Sequence, residues 1–336
     1  MVRHESLFET SGSIWRPWGT MRSKPSLSLW LSATALLLVV ACSDSGTDSG
    51  VPGSVPAALG REAPLSVYVV NYPLEYFAER IGGDRVEVVL PSPAGIDPAD
   101  WSPEVETISA YQKADLILLN GAGYAAWVER ATLPQTRIVD TSSAFRDQLL
   151  ELQGTTTHSH GPAGEHSHRG FAATTWLDPS LAIAQASAIA EAFVDASPSG
   201  QAAFEAGLAS LVADLRNLDG ELDAAAARLH ARPLVFSHPV YQYLASRYGL
   251  DARSVHWEPG DSPTEEQWDE LEALLGEHPS TVMIWESEPL AATRARLETL
   301  GLRVIVYDPC GSRPDDGDFL DVMGRNMKAL RELGFR

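Results

Sequence analysis

The sequence predicts an α/β protein of two βαβ lobes with parallel sheets, and three observations carry that reading. Eight short apolar runs recur with helical patterns between them: LSVYVVN, VEVVLP, ADLILLNG and RIVD in the first half, PLVFSH, RSVHW, TVMIWES and RVIVYDP in the second. Strands alternating with helices imply parallel pairing, because a parallel neighbour is reached only through a crossover. Between the two sets, Asp178 to about Arg228 is rich in Ala, Leu and Glu at helical spacing, broken once at Ala196-Ser197-Pro198. Its second part, roughly 30 residues without proline, would form a helix about 45 Å long, enough to bridge two lobes. The length of 336 residues matches about two domains. The expected division is an N-terminal lobe over 63–198, a linking helix over 199–229 and a C-terminal lobe over 230–336. The two halves read as loose copies of one architecture.

From Leu27 to Ala41 an apolar run of 15 residues follows Arg22 and Lys24 and ends on a small residue. At roughly 22 Å as a helix it is short for a hydrocarbon core of about 30 Å, and it has the layout of a secretory signal. Val39-Val40-Ala41-Cys42 resembles a bacterial lipobox, so Cys42 is expected to carry lipid and to anchor the exported protein. A signal starting at Met21 would have normal proportions, which leaves residues 1–20 superfluous to it. Residues 43–62 are Ser, Gly, Asp and Pro with little to bury, a flexible tether. If Cys42 is acylated, Cys310 has no partner and no intrachain disulfide forms.

There are 25 Lys and Arg against 45 Asp and Glu, a formal charge of −20. Nucleic acid is excluded as a partner, because its binding needs a basic face that releases counterions. Lys occurs only at Lys24, Lys113 and Lys328, so no Lys-rich patch holds anionic lipid. The composition favours cationic or neutral ligands.

In open parallel sheets ligands sit beyond the carboxyl ends of the strands. There the second half offers His238 after PLVFS, His256 and Glu258 after RSV, Glu286 and Glu288 after TVMIW, and Asp308 with Cys310 after RVIVY. The first half offers Asn71, Asp97, Asp100, Asn120 and Asp140. Imidazole, carboxylate and thiol aimed at one crevice suit a divalent cation. Separately, residues 158–168 read HSHGPAGEHSH, holding four of the nine histidines: His158, His160, His166 and His168. In an extended segment each His-x-His projects to one side and can chelate zinc. A loop over 157–169, broken by Gly and Pro, would add metal capacity without joining a core.

NYPLEYFAERIGGDRVEVVLPSPAGIDP, YQKADLILLNGAGYAAWVER, TTWLDPSLAIAQASAIA, FSHPVYQYLASRYGL and VIVYDPC occur in that order from about Leu65 onward. Together they resemble the metal-binding solute-binding proteins of ABC transporters, of the periplasmic ZnuA/TroA-like type. The resemblance implies two lobes joined by a rigid helix, a cleft between the lobes that holds the metal, and delivery of Zn²⁺, or alternatively Mn²⁺, to a membrane permease. A monomer is expected. The family's Asp-Pro-His becomes Asp97-Pro98-Ala99 here, and its second histidine position holds Thr174. His238 and the late carboxylate Asp308 are retained. Glu286 resembles a family carboxylate that orients a ligand or binds metal. Asp100 is a substitute oxygen ligand or a helix cap, and the loop histidines are the other source of the missing imidazoles. His256 has no family counterpart. The competing functions are a zinc-dependent envelope enzyme, against which stands the lack of His-Glu-x-x-His, Gly-x-Ser-x-Gly or a phosphate loop, and a metal chaperone or adhesion-type surface protein on the same scaffold.

Overall fold

Four strands in the first half, β1 (Leu65–Val69), β2 (Val86–Val89), β3 (Leu116–Leu119) and β4 (Ile138–Asp140), pair in the order β2-β1-β3-β4, all parallel. A short antiparallel ribbon of β5 (Thr156–Ser159) and β6 (Glu165–His168) follows. The second half repeats the first arrangement with β7 (Leu234–Phe236), β8 (Ala252–Ser254), β9 (Val282–Trp285) and β10 (Arg303–Val306), in the order β10-β9-β7-β8. Both sheets therefore place their strands second, first, third, fourth, and all eight apolar runs are strands where the sequence puts them. The computed structural model describes residues 63–152, 156–159, 165–168, 170–230, 232–258 and 260–333, with only the backbone of 156–159 and 165–168. The expected signal over 1–41, the tether over 42–62 with Cys42, and His160 lie outside the described residues.

The strands read as continuous apolar runs because both faces of each sheet are covered. In the second sheet Phe236, Ile284 and Ile305 enter the main core, while Val235, Met283, Trp285 and Val304 turn to a smaller core with Trp257, Trp268 and Leu297. The helices are α1 (Tyr72–Gly82), α2 (Val105–Tyr111), α3 (Pro179–Ala196), α4 (Gln201–Ala226), α5 (Gln242–Tyr248), α6 (Glu265–Glu277), α7 (Ala291–Thr299) and α8 (Phe319–Leu333). Asp178 caps α3 by accepting from the N–H of Ser180 at 2.8 Å, with Pro179 in the first turn. Pro198 sits in the break between α3 and α4, as expected of a residue that cannot continue a helix. Among the described residues no helix is long and apolar enough to cross a membrane.

Helix α4 spans about 39 Å at 1.5 Å per residue. Phe204, Leu211, Leu215, Leu218 and Leu222 form its buried stripe. It packs on α1 and α3 from the first half and on α5 and α8 from the second. Elsewhere the halves are tied by the turn Asp308–Gly311. The Pro309 carbonyl accepts from Trp176 Nε1 at 2.7 Å and the Gly311 carbonyl from the Tyr72 N–H at 3.0 Å. Cys310 within it has φ 60°, a left-handed conformation steadied by the Asp308 carboxylate, which accepts the Cys310 N–H at 2.7 Å. Arg313 then reaches the buried carboxylate of Glu75 on α1, with Nε 3.1 Å from Oε2.

Helix α4 meets α1 at Gly207, where a Cβ would lie 2.5 Å from the Ile81 carbonyl oxygen and 2.8 Å from that of Arg80. Those are backbone atoms and cannot swing aside. Gly207→Ala gains about 1 kcal/mol of helix propensity but forces the helices apart, an overpacking cost of about 1–3 kcal/mol. The clash wins: urea unfolding of Gly207→Ala is expected to show a lowered midpoint.

Candidate functional site

The site starts from the register of the second sheet. Phe236 pairs with Ser254 on one side and Ile284 on the other. Two residues further along each chain, His238, His256 and Glu286 come to the same height on three neighbouring strands. The ladder continues into these loops: the Ser237 carbonyl accepts from Trp257 N–H at 2.7 Å, and Ser237 N–H donates to the Ile284 carbonyl at 2.9 Å. Between the polar residues, Trp257 and Trp285 turn into the smaller core, so side-chain alternation sends their neighbours the other way.

His238 is the hub. Its Nδ1 lies 3.0 Å from Glu286 Oε1, and its Nε2 lies 3.6 Å from Glu258 Oε1. The His256 ring stands nearly perpendicular to it, with centroids 6.4 Å apart. Burial opposes a charge on His238, but the Glu286 hydrogen bond and charge, then Glu258 and Asp100, outweigh it and raise the imidazole above its ordinary 6.5. His256 moves the other way, lowered by burial and then by His238.

Asp97 and Asp100 approach from the first half. Asp97 accepts the Ala99 N–H at 2.8 Å, and its Oδ1 lies 3.5 Å from the Tyr124 hydroxyl. Water reaches Asp97, yet the surrounding walls desolvate it. That burial raises its pKa; the Ala99 N–H pulls it back, Asp100 and Glu286 add to the rise, and His238 offsets part of it. Asp308 is raised likewise by burial, against the Cys310 N–H, with Glu286 adding to the rise. Carboxylates held up by one another and by poor solvation are the arrangement that a divalent cation relieves.

The first sheet carries amides at the matching height. Asn71 Nδ2 donates to Asn120 Oδ1 at 3.3 Å, Asn120 Nδ2 to the Ala173 carbonyl at 2.8 Å, and Gln185 Nε2 to Thr141 Oγ1 at 2.9 Å. This buried network fixes the segment that bears Thr174, whose hydroxyl donates to the Val240 carbonyl in the second half. That hydroxyl makes a contact across the halves.

The structure thus gathers His238, Glu286, Glu258, His256, Asp97, Asp100 and Asp308 in one electrostatic neighbourhood, although among the described residues no three His, Cys, Asp or Glu side chains already converge as a metal-holding group. Glu288 turns away to a two-pronged pair with Arg294 at 2.6 and 2.7 Å, and Asp140 pairs with Arg146 at 3.1 Å. Asp100 is not a helix cap; Glu104 holds that position before α2. The segment expected as a loop over 157–169 contains the ribbon, in which His158 pairs with His166 and Thr156 with His168. Its base continues as Leu152 N–H to Gly170 carbonyl and Ala172 N–H to Leu150 carbonyl, at 2.9 and 2.8 Å, two residues before Thr174. Cys310 is buried, as are Tyr241, Tyr243 and Trp257. Tyr124 had no signal in the sequence, since a lone Tyr after a glycine turn looks like any packing aromatic.

Residues 67–333 match the family model described as ZnuA, zinc-uptake complex component A, periplasmic. The chain belongs to this family. It is 26% identical over 322 residues to the zinc-binding lipoprotein AdcA of Streptococcus pneumoniae (strain ATCC BAA-255 / R6), covering 91% of this chain and 60% of that protein. The chain therefore spans about 60% of the length of that streptococcal relative. It is also 26% identical over 315 residues to the high-affinity zinc uptake system protein ZnuA of Bacillus subtilis (strain 168), covering 90% and 96%. The crystal structure of the metal-dependent lipoprotein YcdH from Bacillus subtilis superposes with a TM-score of 0.67 at 23% identity over 80% of this chain and 98% of that one, a likeness of fold. Within the family, the resemblance places two histidines where this chain has Ala99 and Thr174.

The opposed shifts of the two imidazoles are measurable. In metal-free protein followed by NMR, His238 is expected to titrate above 6.5 and His256 below it. Glu286→Gln removes the carboxylate that favours the charged ring, so the His238 midpoint should fall, and that of His256, which the charge on His238 holds down, should not fall with it. Because a proton competes with a cation for the ring, cation affinity should weaken as pH drops through the raised His238 value.

Proposed function

We propose that this protein is an extracytoplasmic receptor, lipid-anchored through Cys42, that captures Zn²⁺ in the cleft and hands it to the permease of an ABC transporter. The single observation that carries this reading is His238 just past the carboxyl end of β7, held by Glu286 through Nδ1 with Glu258 near Nε2. A ligating histidine typically has its second nitrogen fixed in this way by a carboxylate. The relatives' names, a zinc-binding lipoprotein and a zinc uptake protein, support zinc as cargo over manganese. A mixed imidazole and carboxylate donor set suits zinc on chemical grounds too. Family membership supports a receptor over an enzyme. The charge of −20 favours cationic cargo and opposes any contact with nucleic acid.

His158, His160, His166 and His168 belong to this reading as a collector of the same cation, on a segment rooted beside the cleft at Leu150–Leu152 and Gly170–Ala172. Glu286, Asp308 and Asp100 are the carboxylates that hold or balance the ion.

Calorimetry with Zn²⁺ tests the cleft. His238→Ala should lower affinity by about 100-fold or more, and equal binding by the variant would reject the cleft as the site. Deleting residues 157–169 should lower the number of zinc ions bound and leave the melting temperature of the metal-free protein nearly unchanged, since residues 153–156 remain to connect Leu152 to Gly170 across the bonds at the base. The anchor is tested by cell fractionation: the wild type should sediment with membranes, and Cys42→Ala should be released.

A further inference from the structure

The family's two first-lobe histidine positions here carry a methyl group at Ala99 and, at Thr174, a hydroxyl already donated to the Val240 carbonyl. Neither supplies a nitrogen. On the opposite wall, His256 and Glu258 flank Trp257, whose burial in the smaller core fixes the backbone between them. We infer that His256 and Glu258 take over the two lost positions, so that the zinc site is built from the second lobe alone, with His238 as the third ligand and Glu286 holding His238 from behind.

Among the described residues no three such side chains yet converge on one point, and the distances show how far these stand from it. Donor atoms on one tetrahedral zinc ion, at about 2.0–2.1 Å from the metal, lie roughly 3.3–3.4 Å from each other. The 3.6 Å between His238 Nε2 and Glu258 Oε1 is close to that separation and long for a direct hydrogen bond. Two imidazoles on one zinc ion stand with ring centroids roughly 5–6 Å apart, and those of His238 and His256 are 6.4 Å apart. Rotation of the exposed His256 side chain closes the difference. The register makes the pairing a property of the sheet: β7 and β8 are neighbours, and Phe236 opposite Ser254 brings His238 opposite His256. Neighbouring strands run about 4.8 Å apart, a spacing from which two imidazoles reach one ion. Glu286, on the other side of His238, engages Nδ1, so that Nε2, on the side of Glu258, is the nitrogen a metal would take.

The site has two imidazoles and one carboxylate, with the retained Asp308 as the candidate for the fourth position, while Asp97 and Asp100 of the first half supply negative charge. Zinc held this way needs no ligand from the other half, and the histidine ribbon is separable from it. The inference rests on the receptor reading above and is distinguishable from it.

The experiment is competitive zinc titration against a chromogenic chelator, run on wild type, His256→Ala, Glu258→Gln, His238→Ala and the deletion of 157–169, with melting temperatures of the metal-free forms as a folding control. His256 is exposed and Glu258→Gln keeps its shape, so neither should unfold the protein. Each is expected to weaken zinc about 10- to 100-fold or more, and the deletion is expected to leave the tight site intact. Co²⁺ provides a second readout: the visible spectrum of the Co²⁺-loaded protein should change with His256→Ala, which removes a nitrogen ligand, and stay unchanged with the deletion. If His256→Ala and Glu258→Gln bind as tightly as wild type while His238→Ala does not, the inference is overturned and the receptor reading stands. Loss of the tight site on deletion of 157–169 would likewise overturn it, in favour of ribbon histidines completing the set. Wild type that binds no zinc, or unaltered binding by His238→Ala, overturns both.

Discussion

The backbone ladder of the second sheet runs beyond its strands, and the site depends on that overrun. Val255 N–H donates to Phe236 at 3.0 Å, Trp257 N–H to Ser237 at 2.7 Å and Ser237 N–H to Ile284 at 2.9 Å. These bonds keep three loops in strand-like register, so that His238, His256 and Glu286 stand level. Trp257 and Trp285 brace the loops from the other side, with rings 6.0 Å apart, and Trp257 stacks edge-on against Trp268 at 4.7 Å. Each tryptophan occupies one step of an alternation whose other step faces the cleft. Large buried rings next to polar site residues are therefore part of how the site is held: the apolar step supplies the energy that fixes the polar step in place.

Charge follows from that placement. Glu286, Glu258 and Asp100 act on His238, Glu286 acts in turn on Asp97 and Asp308, and His238 acts on His256, so that beside the effects of burial Asp97, Asp308 and His238 are pushed up and His256 down. A proton on His238 is the smallest cation that eases this arrangement. A divalent ion at the same place would ease it further and would compete with that proton.

The first half has the same sheet order but a different task. Its matching strand ends carry Asn71 and Asn120, locked with Gln185 and Thr141 into a buried amide network. That network positions the segment from Ala173 to Leu177, which contacts the second half through Thr174 and Trp176. Two copies of one topology have thus diverged in the chemistry of their strand ends, toward structural hydrogen bonds in one and metal-competent donors in the other. The Asp308–Gly311 turn, with Cys310 in a left-handed conformation, joins them at the seam.

Periodicity determined the architecture. The eight strands of the two parallel sheets, the helix break at Ala196-Ser197-Pro198 and the long helix before the second sheet were legible in the sequence, because two-sided burial demands continuous apolar runs and a helix demands its stripe; the polar, His-rich ribbon of β5 and β6 has no such run and read as a loop. The rule that ligands gather past parallel strand ends marked His238, His256, Glu258 and Glu286, and the family resemblance exposed the missing histidines at Ala99 and Thr174. Linear sequence could not tell which marked residues converge. Glu288 looked equivalent to Glu286, but two positions further on it meets Arg294. Asp100 looked like a cap until the start of α2 proved to lie at Val105. His256 had no family counterpart, and strand order, which makes β8 the neighbour of β7, set it beside His238. Those decisions depend on which strands lie side by side and in what register, and hydrogen bonds between residues far apart in the chain set both only when the sheet closes.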